Sequence, residues 1–244
     1  MTTNSDSGHA KNLSNFGEVV AYLSILGPKY CPPADRLALG ALTLSLTKGR
    51  DALSSWYSAE NHLRTKSAER SKLFDDVNPL LSRIGGFVDI SPADIRTKDA
   101  VKGFIAKLRG NNKSKPKAAQ VAVAEGDPAP RTNSTSQRSY VMVAENFSKL
   151  VTVIEDMAGY TVTDEALKVG ALRTLSGKLS AANTDVTQAE LALSDARAYR
   201  DMVLYDDADS LLNVMRDVKN FVKAAFGPNS SEYRNIRGFE FKSL

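Results

Sequence analysis

Side chains able to do chemistry are few and scattered in this chain. There are two histidines, His9 and His62, and one cysteine, Cys31. A zinc site needs His and Cys ligands at short, regular spacings. Neither histidine has a second His or a Cys three or four residues away, so no metal ligand set is expected. Cys31 stands before Pro32-Pro33 at an expected helix start, where the helix dipole would favour a thiolate. A single cysteine cannot form an intrachain disulfide, and Cys31 reads as a bystander.

Acidic residues occur together as Asp75-Asp76 and as Asp206, Asp207 and Asp209. Paired carboxylates perform acid–base work or hold hard cations. On a helix, adjacent residues point apart, and only Asp206 and Asp209, three apart, would share a face. Di-iron bundles combine Glu with Glu-x-x-His, and that motif is absent. So are a glycine-rich phosphate loop, a G-x-S-x-G turn and a kinase signature. The reading is a non-enzyme, with no catalytic residue, no cofactor-binding residue and no metal ligand assigned.

One charged run carries a binding expectation. Arg96, Lys98, Lys102, Lys107, Arg109, Lys113, Lys115 and Lys117 form a basic segment over residues 96–117. Such a run attracts phosphates. Only Phe104 interleaves with it, and no recognition-helix motif accompanies it. Weak, salt-sensitive binding to nucleic acid or another polyanion is therefore the alternative function.

The elements that would position these residues are helices. Apolar residues make up 42% of the chain, charged residues 25% and aromatics only 7%, a globular mix whose cores come from packed Ala and Leu. The net charge is +4, with the basic excess before residue 139 and an acidic excess after it. No stretch approaches the roughly 20 apolar residues of a membrane span. Residues 1–12 are polar and carry no signal-peptide core. A cytoplasmic protein with no membrane contact is expected.

The strongest signal is an internal repeat. Shifted by 130 residues, the chain aligns with itself without a gap from Tyr30/Tyr160 to Asp76/Asp206, with identities at 13 of 47 positions. They include Leu37/Leu167, Gly40/Gly170, Leu42/Leu172, Ala59/Ala189, Leu63/Leu193 and Arg70/Arg200. Asn15-Phe16 matches Asn146-Phe147 after a slip of one residue. That density marks one supersecondary unit used twice. In this alignment Cys31 faces Thr161, which has no thiol chemistry.

Within a unit, Val143, Phe147, Leu150 and Ile154 predict a first helix, ended near Gly159, as Gly27-Pro28 ends its match. A second helix is expected from Thr163, or from Pro32-Pro33 in the first copy. Its stripe Leu172, Leu175, Leu179, Ala182, Val186, Ala189 and Leu193 has a coiled-coil rhythm. A turn near Ala192–Asp195 would lead to a third helix through Leu204, Leu211, Met215, Val218 and Val222. One uninterrupted helix of about 60 residues is the alternative at 1.5 Å per residue. Gly40 and Gly170 are expected at close helix contacts. Pro79 should kink the third helix of the first copy. Ser91-Pro92-Ala93-Asp94 reads as a stop and a capped restart, giving that copy a fourth helix. Ser230 or Ser231 is expected to cap a last short turn, followed by an extended tail at Gly238–Phe241.

The order of these features resembles a known type. An Asn-Phe helix, a Tyr-plus-Pro helix start, an Arg-bearing third helix, a Pro-rich linker and a second copy closing in VKNFVKAAFGPNSSEY are similar to a family of uncharacterised bacterial helical proteins made of two tandem copies. The resemblance implies architecture and no activity. The expected fold is all-α: two tandem antiparallel bundles of about three helices, with an extra short helix in the first. Residues 1–12 would be disordered, 13–109 the first bundle, 110–138 a flexible basic linker and 139–244 the second bundle. A structural or protein-interaction role follows, with a protein partner or self-association.

Overall fold

The computed structural model describes residues 4–110 and 139–242. It is 83% helical and has no strand among the described residues, so the fold class is all-α. The helices are α1 (Asn4–Leu26), α2 (Leu39–Asp75), α3 (Val77–Ile90), α4 (Ile95–Arg109), α5 (Tyr140–Glu155), α6 (Val169–Asp201), α7 (Leu211–Phe226) and α8 (Ser231–Arg237). Short 3-10 turns at Asp35–Leu37 and Glu165–Leu167 precede α2 and α6, and a π-helical turn, Met202–Asp206, follows α6. The expected linker lies outside the described residues beyond Gly110.

The chain forms two compact units, and each takes helices from both halves of the sequence. One contains Met1–Arg64 and Ala189–Leu244, the other Thr65–Gln188. They do not coincide with the expected blocks 13–109 and 139–244. In the first unit, Phe16 and Leu23 of α1 and Leu42 and Trp56 of α2 share a core with Leu193, Leu204 and the α7 residues Met215, Val218 and Val222. In the second, Phe74 joins Leu81 and Ile84 of α3, Ile105 of α4, Phe147 and Leu150 of α5 and Leu172 and Leu179 of α6. Burying each Leu, Val or Phe contributes about 1.5–3 kcal/mol before chain entropy is set against it.

The reason for the sharing lies in the length of two helices. The apolar stripe of α6 does not stop at the expected turn near Ala192–Asp195. Val186, Ala189 and Leu193 are all buried, and no Gly or Pro interrupts them. One stripe thus serves two cores, with Leu172 and Leu179 in one and Leu193 in the other. The helix ends later, in the π turn closed by Asp207 N–H donating to Met202 O at 3.2 Å. The uninterrupted 60-residue alternative fails at the same place. Around Asp207–Ser210 the Ser210 hydroxyl donates to Tyr205 O (3.2 Å) and the Asn213 amide to Asp207 O (2.9 Å), satisfying carbonyls that the helix end frees.

Both long helices start later than the sequence reading has them. The Tyr30 hydroxyl donates to Leu37 O at 2.8 Å, and the Tyr160 hydroxyl donates to Leu167 O at 3.1 Å. Each bond holds a separate 3-10 turn in front of the helix. Burial pushes the Tyr30 phenol up to about 12 and the Tyr160 phenol up as well. Positions 31–50 and 161–180 follow one and the same order of buried, half-buried and exposed residues. The two turns are also tied to helices of the other half. Arg36 pairs with Asp209 (3.1 Å) and Asp217 (2.7 Å), and Asp164 pairs with Arg83. The Arg83 guanidinium holds the Asp164 carboxyl below its usual range. Exposed pairs of this kind add little energy but fix register.

Other expectations resolve individually. Residues 4–12, expected to be disordered, belong to α1, where the buried His9 and Asn12 find polar partners downstream in Tyr205 and Lys242. Pro79 stands in the first turn of α3, where a missing N–H costs nothing, so it causes no kink. Asp94 caps α4 by accepting from Thr97 N–H (3.0 Å), and Ser230 caps α8 by accepting from Tyr233 N–H (3.1 Å). The Thr97 bonds hold the Asp94 carboxyl below its ordinary value. An extended tail is expected at Gly238–Phe241; Gly238 instead makes a turn in the right-handed region, and residues 239–242 form no helix or strand.

Gly40 and Gly170 are not at helix contacts. A Cβ at either would meet nothing within 4 Å, whereas one at Gly49 would lie 2.6 Å from Leu13 Cδ2 and 3.3 Å from Leu211 Cδ1. Their φ angles are negative, so alanine fits both open sites. Gly40→Ala and Gly170→Ala should each raise unfolding free energy by about 0.5–1 kcal/mol. Gly49→Ala should gain less than either, because the Leu13 and Leu211 side chains must give way to the added Cβ. Urea titrations of the three variants check the contrast, and a gain at Gly49→Ala as large as at the other two would contradict the packing described.

Candidate functional site

The expected site candidates stay apart. His62 is exposed on α2, and Cys31 is exposed in the loop before the Asp35–Leu37 turn, away from any helix start. Asp206 closes the π turn and Asp209 lies in the bend after it, so they do not share a helix face. Asp209 instead pairs with Arg36. Among the described residues, no three His, Cys, Asp or Glu side chains are grouped to hold a metal ion.

The basic run is engaged along α4. Lys102 pairs with Asp89 at 2.7 Å, Lys98 donates to Asp89 O at 3.1 Å, and Arg109 donates to Ser82 Oγ at 2.6 Å. Lys107 lies over the Phe104 ring. Lys113, Lys115 and Lys117 are outside the described residues.

Polar groups converge elsewhere, on the π turn. Tyr205 projects from it toward α1. His9 Nδ1 is 2.6 Å from the Tyr205 hydroxyl, and the Asn12 amide donates to the same oxygen at 3.3 Å. With Asn12 donating to the phenol, the phenol proton is left to point at His9. This proton placement is assigned from the network. Burial pushes the Tyr205 phenol up, against the pull of Asn12 and Arg200.

Arg200, 8% exposed, stacks over Trp56 at 4.4 Å, and its Nε and Nη2 both donate to Asp201 Oδ1 (2.9 and 2.7 Å). A guanidinium over an indole face is favourable, more so when desolvated. The His9 ring meets Trp56 edge-on at 5.8 Å. In the other unit, Arg70 stacks on Tyr140 at 4.2 Å. The arginine repeated in sequence thus lies over an aromatic ring in both places.

On its outer side the π turn borders a groove of about 380 Å³. Leu44 of α2, Tyr199 of α6 and Met202 of the turn line it while 56%, 47% and 44% exposed. Arg36, Lys48, Asp207 and Asp209 surround them. The helix lengthening at the turn is what presents both faces. A π-helical insertion changes the phase of the residues that follow it, and such insertions recur at functional positions.

Sequence reading missed both features. His9 lay in a segment read as disordered, and Tyr205 in the middle of an expected third helix. A usable signal existed for the groove. At the repeat spacing, Leu44, Tyr199 and Met202 face Thr174, Glu69 and Lys72, polar residues that are all exposed.

Tyr205→Phe removes the hydroxyl shared by His9 and Asn12, and should cost about 1–3 kcal/mol because buried groups lose a partner. Tyr199→Phe, in the open groove, should cost next to nothing. Equal costs in chemical denaturation would contradict the assignment.

Among the described residues, no helix is long and apolar enough to cross a membrane. No protein-family model, no curated protein and no solved structure matches this chain.

Proposed function

We propose that the chain is a non-enzymatic protein-interaction module, made by duplication of one helical unit, whose partner docks in the groove beside the π turn. The observation that carries this reading is the asymmetry between repeat positions. Leu44, Tyr199 and Met202 are exposed and apolar, while Thr174, Glu69 and Lys72 at the matching positions are polar. A helix face that only had to stay solvated would be polar in both copies. Tyr, Met and Arg are the residue types enriched at interfaces, and a polar rim around an apolar centre is interface anatomy. Met202 adds an adaptable contact. Duplication is supported by the matched tyrosine bonds and by the shared burial pattern of positions 31–50 and 161–180.

The cluster of buried His9, Trp56 and Arg200 with half-buried Tyr205 supports the groove from behind. It holds the π turn against α1, so that the groove residues stay on a rigid element.

The test compares captured partners. Tagged wild-type chain and a Leu44→Asp/Met202→Asp variant are cross-linked in lysate of the source organism and analysed by mass spectrometry. Circular dichroism establishes equal helicity first. Partners held by the wild type should be lost from the double variant and kept by Ile90→Asp, a change at an exposed apolar residue of the other unit. An unchanged partner set in the double variant overturns the reading.

A further inference from the structure

The non-helical residues after α8 lie on α1 and α7 of the first unit, and they are held by side chains that read their backbone. Asn12 and Asn15, three apart on one face of α1, do most of this. The Asn12 amide donates to Lys242 O at 2.8 Å, and Asn12 Oδ1 accepts from Lys242 N–H at 3.2 Å. The Asn15 amide donates to Glu240 O at 2.8 Å. From α7, the Lys219 ammonium donates to Phe239 O and to Arg237 O. Between these polar contacts, Phe239 and Phe241 pack against the unit's core.

This is the grammar of extended-peptide recognition. Backbone hydrogen bonds give affinity without sequence dependence, and sites for alternate side chains select the pattern. Here a helix pair replaces a sheet edge. An amide that both donates to and accepts from one residue's backbone works like one rung of a β-ladder. The segment is not sealed in: a cleft of about 530 Å³ runs beside it, bordered by Leu212, Arg216 and Arg237. Glu240 and Lys242 are exposed. The hold consists of a few hydrogen bonds and two half-buried rings, far less than the packing of α7.

We propose that this α1–α7 face is a peptide-binding groove for an extended Phe-x-Phe segment of a partner protein, and that the chain's own Phe239–Lys242 occupies it in cis. The chemistry of the occupant is fixed by the segment seated there: two aromatic residues at alternate positions and backbone groups that meet Asn12, Asn15 and Lys219. This surface is separate from the groove at the π turn, and its test is independent of that reading. The cis segment acts as a competitor. A partner peptide sees an affinity reduced by the fraction of molecules whose segment is undocked.

The probe is a fluorescein-labelled peptide of residues 238–244, Gly-Phe-Glu-Phe-Lys-Ser-Leu, titrated against full-length chain by anisotropy. With Phe239→Ala/Phe241→Ala chain, whose own segment docks poorly, binding should saturate. It should be at least about tenfold weaker with wild-type chain, where the groove is filled. Adding Asn15→Ala to the double variant should weaken it by about five- to tenfold, as expected for one lost hydrogen bond. A peptide with both Phe replaced by Ala should not bind.

Absence of saturable binding to the folded double variant, or equal binding of the Phe-free peptide, overturns the proposal. Dimerisation of wild-type chain through exchanged C-terminal segments, detected by sedimentation, overturns the partner assignment in favour of a second copy. If the double variant fails to fold, hydrogen exchange on wild-type chain decides. The Lys242 amide should exchange at least about a hundredfold faster than those of α7, and excess peptide should speed it further. Exchange as slow as that of α7 would make the segment an integral part of the core and sink the proposal.

Discussion

α2 and α6 each run as one helix from one hydrophobic core into another, and the rest of the structure follows from that continuity. A helix cannot stop for free: each end leaves four N–H or four C=O groups without partners. Between Leu179 and Leu193 on α6 neither Gly nor Pro interrupts and apolar residues keep their 3-4 rhythm, so continuing is cheaper than turning. Leu172, Leu179 and Leu193 lie on one stripe and belong to two cores. On α2, Leu42 and Trp56 belong to one core and Phe74 to the other. Each core must then recruit helices from both halves of the sequence.

The π turn is where that continuity ends in the second half, and the polar chemistry of the molecule gathers there. Asp207 N–H reaches back to Met202 O, and the altered phase sends Tyr205 toward His9 and Asn12 while Met202 faces outward. In the first half the corresponding break is a simple turn at Asp76. Two halves with the same opening turn, held by the same tyrosine bond, thus finish differently. Buried polar groups that are fully partnered specify one arrangement and penalise others. His9 and Asn12 act in this way through Tyr205 and tie α1 to the end of α6, while the buried Trp56 indole N–H beside them has no hydrogen-bond partner.

Much of the architecture was legible in the residues themselves. Periodicity found the apolar stripes of α5, α6 and α7 but misplaced the break between the last two, and cap chemistry pointed to Asp94 for α4 and to Ser230 or Ser231 for α8. Legibility failed where tertiary partners decide. Residues 4–12 have no periodic apolar signal, and in their helix His9 and Asn12 meet Tyr205 and Lys242 far downstream. The late start of α2 and α6 depends on a hydroxyl seven residues before its acceptor, which no local rule anticipates. Gly40 and Gly170 attracted attention by repeating, yet the close approach occurs at the unrepeated Gly49. The groove could have been found by asking where apolar residues replace polar ones between the copies. The docking of Phe239–Lys242 onto α1 had no sequence signal, because asparagine side chains recognise backbone rather than side chains.

Each compact unit needs both halves of the chain. A specific protease site inserted within residues 111–138 and cleaved under native conditions tests it directly. Size-exclusion chromatography with light scattering then reads the mass of what remains. The account predicts one particle containing both fragments, with helical circular dichroism unchanged and with separation only in denaturant. Two fragments that separate at once, each still folded and monomeric, would contradict it and restore the tandem arrangement of independent bundles.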